Sequence, residues 1–128
     1  MPLETMEPNP VWVEDAYAET VDVFESYGQS LVFRVWGGDW CKDCRAQLPD
    51  FGAALDAAEV PSDNVIHYEL DQDKQGAGVD EYDIELIPTV VVEHNGEEIA
   101  RFVEEESVPI AVYLADEIES ALGSVTDR

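Results

Sequence analysis

LVFRVWGGDWCKDCR, residues 31–45, is the stretch that decides the fold. Leu31 to Trp36 is apolar except for Arg34, as expected of a central strand buried on both faces. Gly37-Gly38-Asp39 turns the chain. After Trp40 a helix follows to about Ala58, with Leu48, Phe51, Leu55 and Ala58 as its inward stripe. The only two cysteines, Cys41 and Cys44, stand at the head of this helix. With Cys41 in the first turn, Cys44 lies one turn further on the same face, within reach of its sulfur, so the pair can open and close as a disulfide. Unpaired N–H groups and the positive end of the helix dipole favour a thiolate at Cys41. Cys41 is therefore the candidate attacking sulfur, and Cys44, deeper in the helix, the one that resolves a mixed disulfide.

Two other uses of the cysteines fit less well. His67 and His94 would complete a four-ligand zinc set, but neither has ligand spacing and His94 adjoins an Asn95-Gly96 turn, so no metal is expected. A static cross-link would stabilise little, because chain-entropy stabilisation grows with loop length and this loop is minimal.

Composition sets the surroundings. A chain of 128 residues with 45% hydrophobic content can bury one core without cross-links. Met1 to Pro10 has neither a basic stretch nor an apolar core like a secretory leader, and no segment reaches membrane-spanning length. A cytoplasmic protein with no membrane partner is the expectation, and in a reducing compartment a Cys-x-x-Cys reads as a working redox pair. The net charge of −24 is spread along the chain, and lysine occurs only at Lys42 and Lys74. Such self-repulsion is largely screened at about 1 M salt, where the Debye length is about 3 Å, which points to a halophilic, salt-rich setting. With no basic patch, nucleic acid is not an expected partner.

Along the chain, Val11-Trp12-Val13 reads as a short opening strand and Glu14 to Ser26 as a helix with Tyr17, Val21 and Phe24 on one face. Pro49 falls inside the second helix, where it removes a donor and should kink it. Val65 to Leu70 is the next strand, and Gln72 to Tyr82 a weak helix, given Gly76 and Gly78. Thr89 leads into the β-branched Val90-Val91-Val92, Asn95-Gly96 turns the chain, and Ile99 to Val103 returns antiparallel. Ser107 can cap a last helix with Pro109 in its first turn and Ile110, Leu114, Ile118 and Leu122 inward. The order is β-α-β-α-β-α-β-β-α, a single α/β domain over 11–124 behind a flexible segment, 1–10.

These residues resemble the thioredoxin family. The resemblance rests on Trp40-Cys41-x-x-Cys44, on Pro49 eight residues after Cys41, on Leu70-Asp71 at a strand end, on Ile87-Pro88-Thr89, and on the Asn95-Gly96 hairpin before a terminal helix. It implies the thioredoxin fold, a central mixed sheet of four to five strands flanked by helices. It also implies a cis bond before Pro88, lying against the two sulfurs, with the Ile87 backbone free to pair with an extended substrate and Trp40 part of the docking surface.

Three departures from the family pattern stand out. The usual Gly-Pro between the cysteines is Lys42-Asp43, whose charges act on Cys41 in opposite senses. The buried aspartate that in the family lies under the resolving cysteine is Val35 here, so water, Asp43 or His67 must take the Cys44 proton. Glu104-Glu105-Glu106 stands near a loop where the family has glycine, and reads as a solvated run or a device that repels acidic partners.

The resemblance implies a thiol-disulfide oxidoreductase acting as a protein disulfide reductase. Its substrates are protein disulfides, its electrons come from a thioredoxin reductase or an equivalent dithiol donor, no cofactor is bound, and nothing calls for more than a monomer. A disulfide oxidant or isomerase on the same fold, or a binding module whose cysteines only lock a partner, are the alternatives.

Overall fold

A computed structural model describes residues 6–73, 75–103 and 108–122. Helix α1 (Ala18–Tyr27), strand β1 (Leu31–Gly37), helix α2 (Lys42–Ala57), strands β2 (Val65–Glu69), β3 (Thr89–His94) and β4 (Glu97–Val103), and helix α3 (Ile110–Leu122) follow in that order. The four strands form one mixed sheet in the order β2-β1-β3-β4. β1 runs parallel to β2, while β3 is antiparallel to both β1 and β4.

The two-residue side-chain period of a strand divides the sheet into two unlike faces. Phe33, Val35, Val90, Val92 and Phe102 share one face by register. There Phe33 meets Phe24 of α1 and Phe51 of α2, and Phe102 meets Tyr113 of α3, all at edge-on or tilted angles. All three helices therefore cover this face. The other face carries Trp36, Arg34, Tyr68 and Glu93. Trp36 stacks on Tyr68 with centroids 4.4 Å apart and donates its indole N–H to the Ala77 carbonyl at 2.9 Å. The Arg34 guanidinium bonds Glu93 at 2.7 Å, donates to the Tyr68 hydroxyl and lies over the Tyr82 ring.

Two expected elements are absent. Val11-Trp12-Val13 is not a strand: Val11 and Val13 are 78% and 58% exposed. Pro8 and Pro10 have no N–H to offer a ladder, and Asn9 closes a local turn by accepting the Val11 N–H on its side chain at 3.1 Å. The first turn of the expected helix, Glu14–Tyr17, is a 3-10 turn ahead of α1. Gln72 to Tyr82 forms turns in its described residues. There the Asp71 carboxylate takes the N–H groups of Asp73 and Gln75 at 2.9 and 3.0 Å, Gly78 has φ +79°, and the segment lies over the second sheet face in place of a helix.

The hairpin and the buried face of the last helix match expectation. The Asn95-Gly96 turn has φ values of 54° and 83°, the pair of positive angles a tight hairpin requires. α2 is continuous through Pro49. In the described part of the leading segment, Met6 is buried and Asn9 donates its backbone N–H to the Pro49 carbonyl at 3.1 Å. In α3, Ile110, Leu114 and Ile118 are buried, and the Pro109 carbonyl accepts from Tyr113 at 3.0 Å. Ser107 and Glu104-Glu105-Glu106 lie outside the described residues.

Candidate active site

β1 ends at Gly37 and delivers the chain, through Gly38-Asp39-Trp40, to the start of α2. Cys41 is the residue that caps this helix, with extended backbone at φ −81° and ψ 121°, and not a member of its first turn. Its sulfur takes the part that Ser or Asp plays at other helix starts, accepting the Cys44 N–H at 3.2 Å. The Cys41 N–H donates to the Gly38 carbonyl at 3.0 Å, which holds the turn closed.

The two free thiols differ in access. Cys41 is 7% exposed and Cys44 is 0% exposed. Burial first, and then the adjoining Cys41 sulfur, push the Cys44 thiol above its ordinary range, so it holds its proton firmly. Lys42 and Asp43, between the cysteines, are both exposed.

The second wall comes from the start of β3. The Ile87–Pro88 bond is cis, and the Ile87 carbonyl lies 4.0 Å from the Cys41 sulfur. Thr89 is buried and donates its hydroxyl to the Leu86 carbonyl, bracing the corner. Trp40 is 37% exposed, and its indole N–H donates to the Leu70 carbonyl at 2.9 Å. The Cys41 sulfur thus lies between the Cys44 N–H and the Ile87 carbonyl, with Trp40 and Pro88 adjacent in the chain to Cys41 and Ile87.

Two further positions join the site. Leu70 supplies the carbonyl that fixes Trp40, a backbone role with no residue signature. Gly38 gives the Trp40 ring its room, since a Cβ at Gly38 would lie 2.4 Å from the indole nitrogen. The Gly37-Gly38 pair was the available signal.

His67 lies on β2. It pairs with Val35 in register, and it lines an open cleft with Met6, Gly52, Leu55 and Asp56, eight or more residues beyond Cys44 along α2. Burial lowers its imidazole below the ordinary value. Val35 is fully buried, and an aliphatic side chain there can take no proton. His94 is at the β3–β4 hairpin, and among the described residues no group of three or more His, Cys, Asp or Glu is placed to hold a metal ion. No helix among them is long and apolar enough to cross a membrane.

A point mutant of the thioredoxin from Halobacterium salinarum NRC-1 is 25% identical with TM-score 0.50, over 94% of this chain and 95% of that one. Two others share the fold. Fasciola hepatica thioredoxin is 22% identical with TM-score 0.51, over 82% of this chain and 93% of that one. Chlamydomonas reinhardtii thioredoxin f2 is 17% identical with TM-score 0.52, over 80% and 93%. Among curated proteins, none matches the chain. The family model described as Thioredoxin matches residues 12–116. Fold, family and paired cysteines support a thiol-disulfide oxidoreductase in general terms, and with so much of its length matched, the chain belongs to the thioredoxin family.

Proposed function

We propose that this protein is a protein disulfide reductase, and the observation that carries the reading is the unequal pair of thiols. The Cys41 sulfur is slightly exposed and accepts a helix N–H at 3.2 Å, while Cys44 is enclosed with its thiol pushed up. A sulfur that is partly accessible and accepts a helix N–H is placed to act as the nucleophile.

Cys41 thiolate attacks one sulfur of a substrate disulfide, forming a mixed disulfide and expelling the other sulfur as a thiolate. Cys44 then loses its proton and attacks the Cys41 sulfur. The substrate leaves fully reduced, and the two electrons it gained are matched by the new Cys41–Cys44 disulfide. A dithiol donor of the thioredoxin reductase kind restores the pair. Trp40 and the Ile87-Pro88-Thr89 corner form the docking surface, where the Ile87 backbone can pair with an extended substrate segment. No bound cofactor is needed by these steps. The protein works as a monomer in a reducing, salt-rich cytoplasm, a reading supported by its dithiol and its charge of −24.

The test is the equilibrium reduction potential of the Cys41/Cys44 pair in multimolar KCl, followed by tryptophan fluorescence against a thiol redox buffer. A value near about −270 mV supports the reductase, whereas a value near about −120 mV moves the reading to an oxidant. No reversible couple, with function intact in a Cys41→Ser, Cys44→Ser variant, moves it to a binding module.

A further inference from the structure

The chain has six basic residues against thirty acidic ones. Lys74 and Arg128 lie outside the described residues. Arg34 is paired with Glu93, and Arg101 with Glu98. The two that remain, Lys42 and Arg45, are one and four residues after the nucleophile. Both are exposed, and neither is in an ion pair with a described residue. At three residues apart they share one side of the first turn of α2, with Asp43 turned away by about 100° from Lys42 and further from Arg45. The uncommitted described cations of a strongly acidic protein are thus gathered beside its reactive sulfur.

We infer that Lys42 and Arg45 form an anion-docking pair that selects disulfides carrying a carboxylate, or another anionic group, next to the scissile bond. This deepens the reductase reading and rests on it. Beyond a Debye length the protein repels an anion. Within contact range, two cations on the side of an anionic substrate's approach outweigh the diffuse charge. The helix N-terminus adds to the pair, since its free N–H groups favour negative charge at the same spot. Arg45 also lines an open cleft with Glu7, Pro8, Pro49 and Asp50, and the two carboxylates offset part of its field. A cationic substrate gains nothing from the pair and is repelled by it at the point of attack.

The experiment compares two chromogenic disulfides, the dianionic dithiobis(nitrobenzoate) and the neutral dithiodipyridine, reacting with the reduced full-length chain. Second-order rates are measured for the wild type, Lys42→Gln, Arg45→Gln and the double variant, at the lowest KCl concentration that preserves the fold and again in multimolar KCl. In the double variant the ratio of the dianion rate to the neutral rate should fall about three- to eightfold at the low-salt end, since any effect of the charges on the Cys41 thiolate cancels in the ratio. The difference should shrink as KCl rises. An equal loss with both disulfides overturns the inference, because it means that the cations act on the Cys41 thiolate itself. No loss with either also overturns it. The neutral disulfide reports whether each variant is folded and competent. A wild type inert toward both disulfides would instead count against the reductase reading.

Discussion

Cys44 must become a thiolate to resolve a mixed disulfide, and its surroundings oppose this. It has 0% exposure, its thiol is pushed above the ordinary value of about 8.5, and Val35, where the family resemblance implies a buried carboxylate, is an aliphatic residue that can take no proton. With no titrating base in line, the thiolate fraction grows tenfold for each pH unit, so the resolving rate should rise about a hundredfold between about pH 6 and pH 8 and keep rising through about pH 9. Stopped-flow mixing of the reduced protein with equimolar dithiobis(nitrobenzoate) separates the steps: the first chromophore released reports attack by Cys41, and the second reports resolution by Cys44. A second-phase rate that levels off between about pH 6 and pH 8 would refute the reasoning and reveal a base. His67→Gln then identifies it, since a plateau lost in that variant belongs to the imidazole and one that survives belongs to another group. The same thiol has a stability signature. Its folded state favours the protonated form, so its contribution is whole below about pH 8.5 and declines as pH rises, by at most about 1.4 kcal/mol per pH unit. The reduced wild type should show this loss in urea titrations, and Cys44→Ala should not.

Three further outcomes are expected. In KCl titrations followed by circular dichroism, folding should strengthen as the Debye length shrinks from about 10 Å at 0.1 M to about 3 Å at 1 M, and full structure with full activity at low salt would sink the halophilic reading. Gly38→Ala puts a Cβ 2.4 Å from the Trp40 indole nitrogen and 2.7 Å from its neighbouring ring carbon. The ring must swing away and give up the Leu70 bond, costing about 1–3 kcal/mol with a shifted tryptophan emission, and an unchanged spectrum and stability would contradict the packing. Glu93→Gln, whose side chain is 12% exposed, leaves Arg34 half-buried without its counter-charge and should cost about 2 kcal/mol, whereas Glu98→Gln, at 39% exposed, should cost under about 0.5 kcal/mol; equal costs in chemical denaturation would show that burial does not govern these pairs.

What could be read from residues alone was whatever repeats along an element. The Leu31–Trp36 run, the inward stripe of α2 and the Asn95-Gly96 turn each carry their structure in side-chain type, and the cysteine spacing needs only a helix to bring the sulfurs together. What could not be read was settled by backbone partners. Gln72 to Tyr82 reads as a weak helix, yet the Asp71 carboxylate competes for its N–H groups and Trp36 takes the Ala77 carbonyl. Val11 to Val13 has strand-forming residues, but an Asn between two prolines turns the chain before any ladder can start. The Leu70 carbonyl that holds Trp40 has no signature at all. The cis geometry before Pro88 was expected only through the family resemblance, because proline permits either isomer.

The site is built from two pieces that meet, and each is secured by a different face of the sheet. Cys44 belongs to α2 and Cys41 caps it, and α2 is anchored on the helix-covered face through Leu48 and Phe51, both at most 1% exposed. Ile87 and Pro88 end the irregular segment that covers the opposite face. Trp36 holds that segment in its middle by stacking beneath Gly78 and bonding Ala77, and Ile84 and Ile87 are buried at its end. Trp36 and Trp40 are four residues apart, on either side of the Gly37-Gly38 turn. The first ties β1 to the covering segment, and the second ties the α2 start to Leu70, where that segment begins. The glycine turn can therefore be free of bulky side chains and still present Cys41 at a fixed distance from the Ile87 carbonyl, because its two flanking tryptophans are bonded to the segment that carries the opposite wall.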